Sequence, residues 1–454
     1  MQGATATKIQ GQTERKTNFR WVVMAMIFIV YTIAGADRAN IGVVLPYIKK
    51  DFGLTNSDIG AMASLFYLGY AAIQIPAGYL FSKFGIRKLF ITAMVLTSAA
   101  TFYIGTTTSA LGLKGARVLL GIAEGPIPIA LLTIINRWFP PQEKGTATGI
   151  YMSSIKFAPA LVPPLCAWIM VMWGWRDVFY AFAVPGFIIC LFWMWLVKDK
   201  PEDSKFCSKS ELEYIQSEKP IETVQAVKNV VCKKSGFLKW VDKIIRTQKP
   251  GNLDTNKKLF LSKDLWACSL GYFLMVGIVY AIMTWVPTYL VTVKKYSIMK
   301  MGFVASAPWI GAIIGNLIGG YLSDKVFEKR RKPLMLLTAL ATTGMMYTLL
   351  YTPNDPFLLG LVLLVAGILL NLGYSAFLVY PMGLVSKEKC PVATSMVNFW
   401  GSLGGAFTPF VVGKLLDAYN WDMVFTFLSA SAFITFLILF VMIEPMQDYE
   451  EVKS

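Results

Sequence analysis

The sequence predicts an all-α membrane protein with twelve transmembrane helices in two six-helix bundles. Three observations predict it. First, the 454 residues are 55% hydrophobic and only 15% charged, with a mean hydropathy of +0.54, where soluble domains run at about 45–50% apolar and about 25% charged. Second, apolar runs of about 20 residues recur along nearly the whole chain, each long enough to cross a bilayer as a helix. Third, two pairs of segments repeat at nearly one offset: "GYLFSKFGIRK" (78–88) with "GYLSDKVFEKRRK" (320–332), and "GWRDVF" (174–179) with "NWDMVF" (420–425). The offsets are about 242 and 246 residues, as one internal duplication would leave. Parallel repeats of six spans imply a carrier that holds its substrate near the midplane between the bundles.

The elements follow in order. A polar stretch, residues 1–20, lacks a small-residue cleavage site and reads as a cytoplasmic tail. The N-terminal bundle, 21–197, contains runs near 21–46, 59–81, 89–107, 113–136, 146–170 and 177–197. A polar central loop, 198–264, separates it from the C-terminal bundle, and within the loop "SKSELEYIQ" reads as a short helix. The second bundle, 265–443, contains runs near 265–290, 302–324, 334–352, 357–385, 393–416 and 423–443, and residues 444–454 form a tail. Lys83, Arg87, Lys88, Arg137, Lys144, Lys325, Arg330, Arg331 and Lys332 fall on one side of this arrangement; Lys49, Lys50, Lys294, Lys295 and Lys300 fall on the other. That bias predicts a multi-pass plasma-membrane protein, in the inner membrane if bacterial, with both termini and the central loop in the cytoplasm.

The same loops account for the net charge of +16, so no nucleic-acid partner is expected. The chain has no His and six scattered Cys without metal-ligand or disulfide spacing. It therefore lacks the commonest general base and metal ligand. No enzyme activity, metal or cofactor is expected, and a membrane-embedded enzyme is a remote alternative.

Charges inside the spans carry the functional signal, because an ionised residue at a helix centre costs about 2.5–3.5 kcal/mol on insertion scales. Asp37 and Arg38 interrupt the first span, Arg117 and Glu124 lie in the fourth, and Lys156 lies in the fifth. Arg117 and Glu124 are two turns apart on one helix face, about 10 Å along the axis, so each needs a partner on another helix. Asp37 and Arg38 point about 100° apart and serve different neighbours. A buried carboxyl beside an Arg is poised to take or release a proton, and Arg offers a fork that grips a carboxylate. The same four charges could instead form a static network between helices. Lys156 lies about 18 Å into its span. It either neutralises Asp37 or Glu124 or forms a second cationic contact for substrate. Tyr67, Tyr70 and Gln74 share a face of the second span. Asn371, Tyr374 and Ser375 in the tenth and Asn398, Trp400 and Ser402 in the eleventh add polar groups. Tyr280 and Trp285 read more simply as packing.

The two "GYL" loop segments resemble the loop signature of the major facilitator superfamily. "DRANIG", "QIPAGYL", "RVLLGIAEGPIPIA" and "WFPPQEKGTATG" resemble its anion:cation symporter family, which includes bacterial galactonate, glucarate and hexuronate permeases. The resemblance spans about residues 20–445 and implies the major facilitator fold. It implies proton coupling at Asp37 and Glu124, and anion-binding and network roles for Arg38 and Arg117, with Arg38 on the substrate carboxylate. It also implies substrate contacts at Tyr70, Ser375 and Asn398, and loop latches at Arg87, Asp324 and Arg331. Gly35, Ile155 and Leu378 stand where sugar-acid permeases often carry Tyr, Gln and Trp, and Ser82 stands where the superfamily usually has Asp. Fewer hydroxyl readers and an extra cation favour a less hydroxylated or dianionic substrate.

The expected function is import of a small organic anion, a sugar acid or other carboxylate, by proton-coupled symport and alternating access. The expected partners are the anion, protons and the bilayer, with the chain acting as a monomer. An anion exchanger of the same fold is the alternative.

Overall fold

The computed structural model describes residues 17–216, 245–248, 255–328, 330–385 and 389–445. The expected tails outside these limits, most of the central loop, Cys232 and the Ser82 side chain lie outside the described residues. Among the described residues the architecture is helical, apart from one pair of two-residue strands.

The long helices follow the apolar runs, and local chemistry sets their ends. α1 (Phe19–Phe52) closes on Gly53, whose φ of 60° is the left-handed cap that glycine adopts without strain. α2 (Asn56–Phe84) opens on a capping box between Thr55 and Asp58. After α3 (Ile86–Thr106) the structure departs from a continuous fourth span. It forms α4 (Ala110–Glu124) and α5 (Ile127–Trp138), separated at Gly125–Pro126. Pro126 has no amide hydrogen for the helical ladder, and its ring crowds the preceding turn. α6 (Lys144–Met172) and α7 (Trp175–Leu196) follow.

In the central loop α8 (Lys209–Gln216) forms where a short helix was expected. It is fixed in place: Glu211 accepts the Phe19 and Arg20 amides at 3.0 and 3.1 Å, capping α1, and Arg20 also pairs with Glu143 at 2.7 Å. α9 (Asn256–Phe260) leads to α10 (Lys263–Thr292), α11 (Ile298–Tyr321) and α12 (Lys332–Thr348). The tenth run is also broken, into α13 (Pro356–Asn371) and α14 (Tyr374–Leu384). No proline causes this break. A Cβ on Gly373 would lie 2.7 Å from the Leu334 carbonyl of α12, so the chain turns where two backbones touch. α15 (Cys390–Ala418) and α16 (Trp421–Val441) complete the chain. β1 (Thr247–Gln248) pairs in parallel with β2 (Glu444–Pro445), tying the end of the central loop to the last described residues.

With α4–α5, α13–α14 and residues 298–326 each taken as one segment, ten of the described helices are long and apolar enough to cross a membrane. α2 and α15, 29 residues each, are not among those ten, and they pack against each other. α1–α7 form one cluster and α10–α16 a second; they meet along α1–α10, α2–α15 and α6–α11.

Two apolar cores show how the clusters meet. One core unites the second cluster with the half of the first that lies toward residues 53–55. The other fills the opposite half of the first cluster alone, from Val23 to Ala34 on α1 and from Ile127 to Trp138 on α5. Close backbone approaches agree: Gly42 abuts the Met283 carbonyl, Gly60 that of Pro409 and Gly302 that of Pro163, all in the half toward residues 53–55. The clusters are therefore shut against each other at that face. Toward the face carrying residues 17 and 445 the first cluster keeps a core of its own.

Candidate functional site: charged groups between the helix clusters

Arg38 of α1 donates from Nε to Glu124 Oε2 at 2.8 Å, with side-chain exposures of 11% and 0%. Glu124 is the last residue of α4, so its carboxylate is presented at the helix break. The Arg38 guanidinium lies 4.8 Å from the Tyr70 ring centroid and is flanked by Phe66 and Tyr31 at 5.7 and 5.8 Å. Gly121 makes this meeting possible, since a Cβ there would sit 2.0 Å from the Phe66 carbonyl of α2.

The ion pair is only half made. Arg38 Nη2 and Glu124 Oε1 are both buried without a hydrogen-bond partner. A guanidinium and a carboxylate can form two parallel bonds, and each buried polar atom left unpaired costs about 1–3 kcal/mol. A competing oxyanion on Arg38, or a proton on Glu124, therefore has a bond to gain.

Asp37 turns away from this pair. It is 2% exposed, accepts from Asn40 Nδ2 at a long 3.4 Å and faces Thr101 of α3. Among the described residues no cation forms an ion pair with it. Arg117, fully enclosed, bonds to backbone instead of to either acid: Nη1 reaches the Asp37 carbonyl at 3.3 Å and Nε the Met62 carbonyl at 3.5 Å, over the Phe66 ring. It braces α1, α2 and α4 through their main chains. Asn40 and Thr101 escaped the sequence reading, although Asn40 stands one turn from Asp37 in "DRANIG", which was the available signal.

Lys156 projects from α6 to the other cluster. Its Nζ donates to Asn371 Oδ1 at 3.1 Å and lies 4.5 Å from the Tyr374 ring centroid. It forms no ion pair with Asp37 or Glu124. Ser375 follows Tyr374 on α14 and Asn398 lies on α15; both are exposed, and neither is bonded to Arg38 or Lys156. Toward residues 53–55, Tyr67 and Tyr280 close the cluster boundary with ring centroids 4.2 Å apart. Trp285 Nε1 donates to the Pro409 carbonyl at 3.0 Å.

The loop residues lie apart from the site, Asp324 and Arg331 together in one cluster and Arg87 in the other. Arg331 Nη1 donates to Asp324 Oδ1 at 2.8 Å within the second cluster. The Arg87 amide donates to Asp199 Oδ1 at 2.8 Å, and its guanidinium to the Met194 carbonyl, within the first. Among the described residues no cluster of His, Cys, Asp or Glu is placed to hold a metal ion.

The sequence profile of the Major Facilitator Superfamily matches residues 27–409 and 301–453. The chain is 29% identical to a D-galactonate transporter of Escherichia coli over 431 residues, covering 91% of this chain and 93% of that protein. It is also 29% identical to the probable galactarate/D-glucarate transporter GarP of Escherichia coli, covering 92% and 94%. It is 25% identical to the probable sulfoacetate transporter SauU of Cupriavidus necator, covering 91% of each. In fold it is similar to a bacterial homolog of the human lysosomal transporter Spinster in an inward-facing, unoccupied conformation, with a TM-score of 0.70 at 17% identity over 94% of this chain and 95% of that one. With the profile matched over most of its length, the chain belongs to the Major Facilitator Superfamily of membrane transporters.

Proposed function

We propose that this transporter is a proton-coupled symporter that imports a small organic anion, a sugar acid or another carboxylate including dianions, by alternating access. The half-made Arg38–Glu124 pair carries the reading. A proton on Glu124 removes the charge that holds Arg38 and frees its fork for the substrate carboxylate. Loss of that proton after the site opens to the other side returns Arg38 to Glu124 and expels the anion. Asp37 is the second proton site, held in register by Arg117 through its own carbonyl. Tyr70 supplies the ring under Arg38, and Lys156, Ser375 and Asn398 read the rest of the substrate. The names of the similar transporters, for galactonate, galactarate or glucarate, and sulfoacetate, support acidic substrates.

In this reading α2 and α15 join the ten apolar segments to make twelve crossings in two bundles of six, within one monomer. The face carrying residues 17 and 445 is cytoplasmic, and the structure represents the inward-open state. Asp324 with Arg331, and Arg87 in its own loop, latch that face when it closes.

The test is uptake by reconstituted vesicles loaded with a pH dye and offered hexonates, hexuronates, aldarates and sulfonated acids. External alkalinisation with one class supports symport. Exchange of labelled anion without proton movement favours the antiporter and reduces Asp37 and Glu124 to structural partners.

A further inference from the structure

The site contains two cations held in the same way. Arg38 lies over the Tyr70 ring at 4.8 Å and donates to an oxygen of Glu124, the last residue of α4 before the break at Gly125–Pro126. Lys156 lies over the Tyr374 ring at 4.5 Å and donates to an oxygen of Asn371, the last residue of α13 before the break at Leu372–Gly373. Glu124 and Asn371 are about 247 residues apart, close to the offsets of the two sequence repeats. They are therefore equivalent positions in the two halves. One half has a carboxylate there and the other an amide.

We propose that Lys156, Asn371 and Tyr374 form a second anion station, and that the amide at position 371 lets this station bind an acidic group without an accompanying proton. The inference rests on the symport reading for its coupling consequence and on geometry alone for its binding consequence.

Asn371 Nδ2 donates to the Gly367 carbonyl at 3.0 Å, which leaves Oδ1 as the atom turned to Lys156. An ammonium has three donors, and this bond uses one. The titratable group facing it is the Tyr374 phenol, with Tyr272 behind at 5.3 Å between ring centroids, and no carboxylate pairs with Lys156 among the described residues. The ammonium makes a charge-assisted bond to either oxygen, but only an oxyanion adds full charge–charge attraction, so a ligand acid displaces Asn371. At Arg38 a ligand acid meets a competing carboxylate and needs Glu124 protonated. At Lys156 it meets only a dipole.

The substrate class that uses both stations is a compact molecule with two acidic ends. One end sets the proton requirement and the other sets selectivity over monoanions. Because Lys156 belongs to the first cluster and Tyr374 to the second, an acid at this station lies between both halves that move in transport.

The experiment uses the purified full-length protein and equilibrium binding of matched acids: galactarate against galactonate, and malate against lactate. Binding needs no proton gradient, so failure of the station is distinguishable from failure of symport. Wild type is expected to prefer the dianion of at least one pair. Lys156→Gln should lower the dianion-to-monoanion affinity ratio about tenfold, and Lys156→Arg should restore most of it. Asn371→Asp should place a carboxylate against Lys156, weaken dianion binding at neutral pH and return it on acidification. A wild type without dianion preference in either pair overturns the proposal. So does an unchanged ratio in Lys156→Gln, or an Asn371→Asp protein whose dianion affinity is the same at both pH values.

Discussion

At the scale of single residues, the proposed coupling turns on the unpaired oxygen of Glu124 and the unpaired nitrogen of Arg38. A fully satisfied bidentate pair would resist both substrate and proton, because either would have to break two bonds. Glu124→Gln should therefore leave anion exchange running while uptake driven by a pH gradient falls at least about tenfold, read as counterflow against concentrative uptake. Arg38→Lys keeps the charge but loses the planar fork, so anion affinity should fall about tenfold or more in direct binding. Both substitutions leave Arg117 and its two carbonyl contacts in place, so melting temperature should change less than transport does. Of the five charges inside the spans that the sequence singled out, Arg38, Glu124 and Lys156 face other polar or charged side chains across helices. Asp37 and Arg117 meet chiefly through main chain, which no residue pattern encodes.

At the scale of elements, two interrupted helices position the chemistry. α4 stops at Glu124 and α13 stops at Asn371, so each break delivers one oxygen-bearing side chain to a cation on another helix. The first break was not read from the continuous 113–136 run, although "EGPIP" carried its signal, since Pro126 cannot continue the hydrogen-bond ladder. The second depends on close packing of Gly373 against α12 and has no proline to mark it. Close packing also seats α4 on α2. Gly121→Ala would drive a methyl into the Phe66 carbonyl, and α4 must shift. The cost should be about 1–3 kcal/mol, seen as a lowered melting temperature, with weaker anion binding as Glu124 moves from Arg38.

At the scale of the whole molecule, the two clusters are held shut at one face by more than apolar contact. Asp417 of α15 accepts the Asn56 and Ser57 amides at 2.9 and 2.7 Å, capping the N-terminus of α2 from the opposite cluster. Removing a cap of this kind costs about 0.5–2 kcal/mol, enough to shift a two-state population severalfold. Asp417→Ala should thus favour the state open at this face. A Met283→Cys probe, buried here against Gly42, should then react several times faster with an impermeant maleimide. An unchanged rate would mean that the apolar contacts alone keep this face closed.

Apolar run length, loop charge and the internal repeats were enough to predict a helical membrane protein and to pick out the charges worth following. Those features depend on composition and period, which a linear chain states directly. The partner of each charge came only with the tertiary structure. Helical spacing says which side chains share a face, but not which neighbouring helix that face meets. For that reason Lys156, which could have neutralised an acid in its own half, was found beside Asn371 in the other.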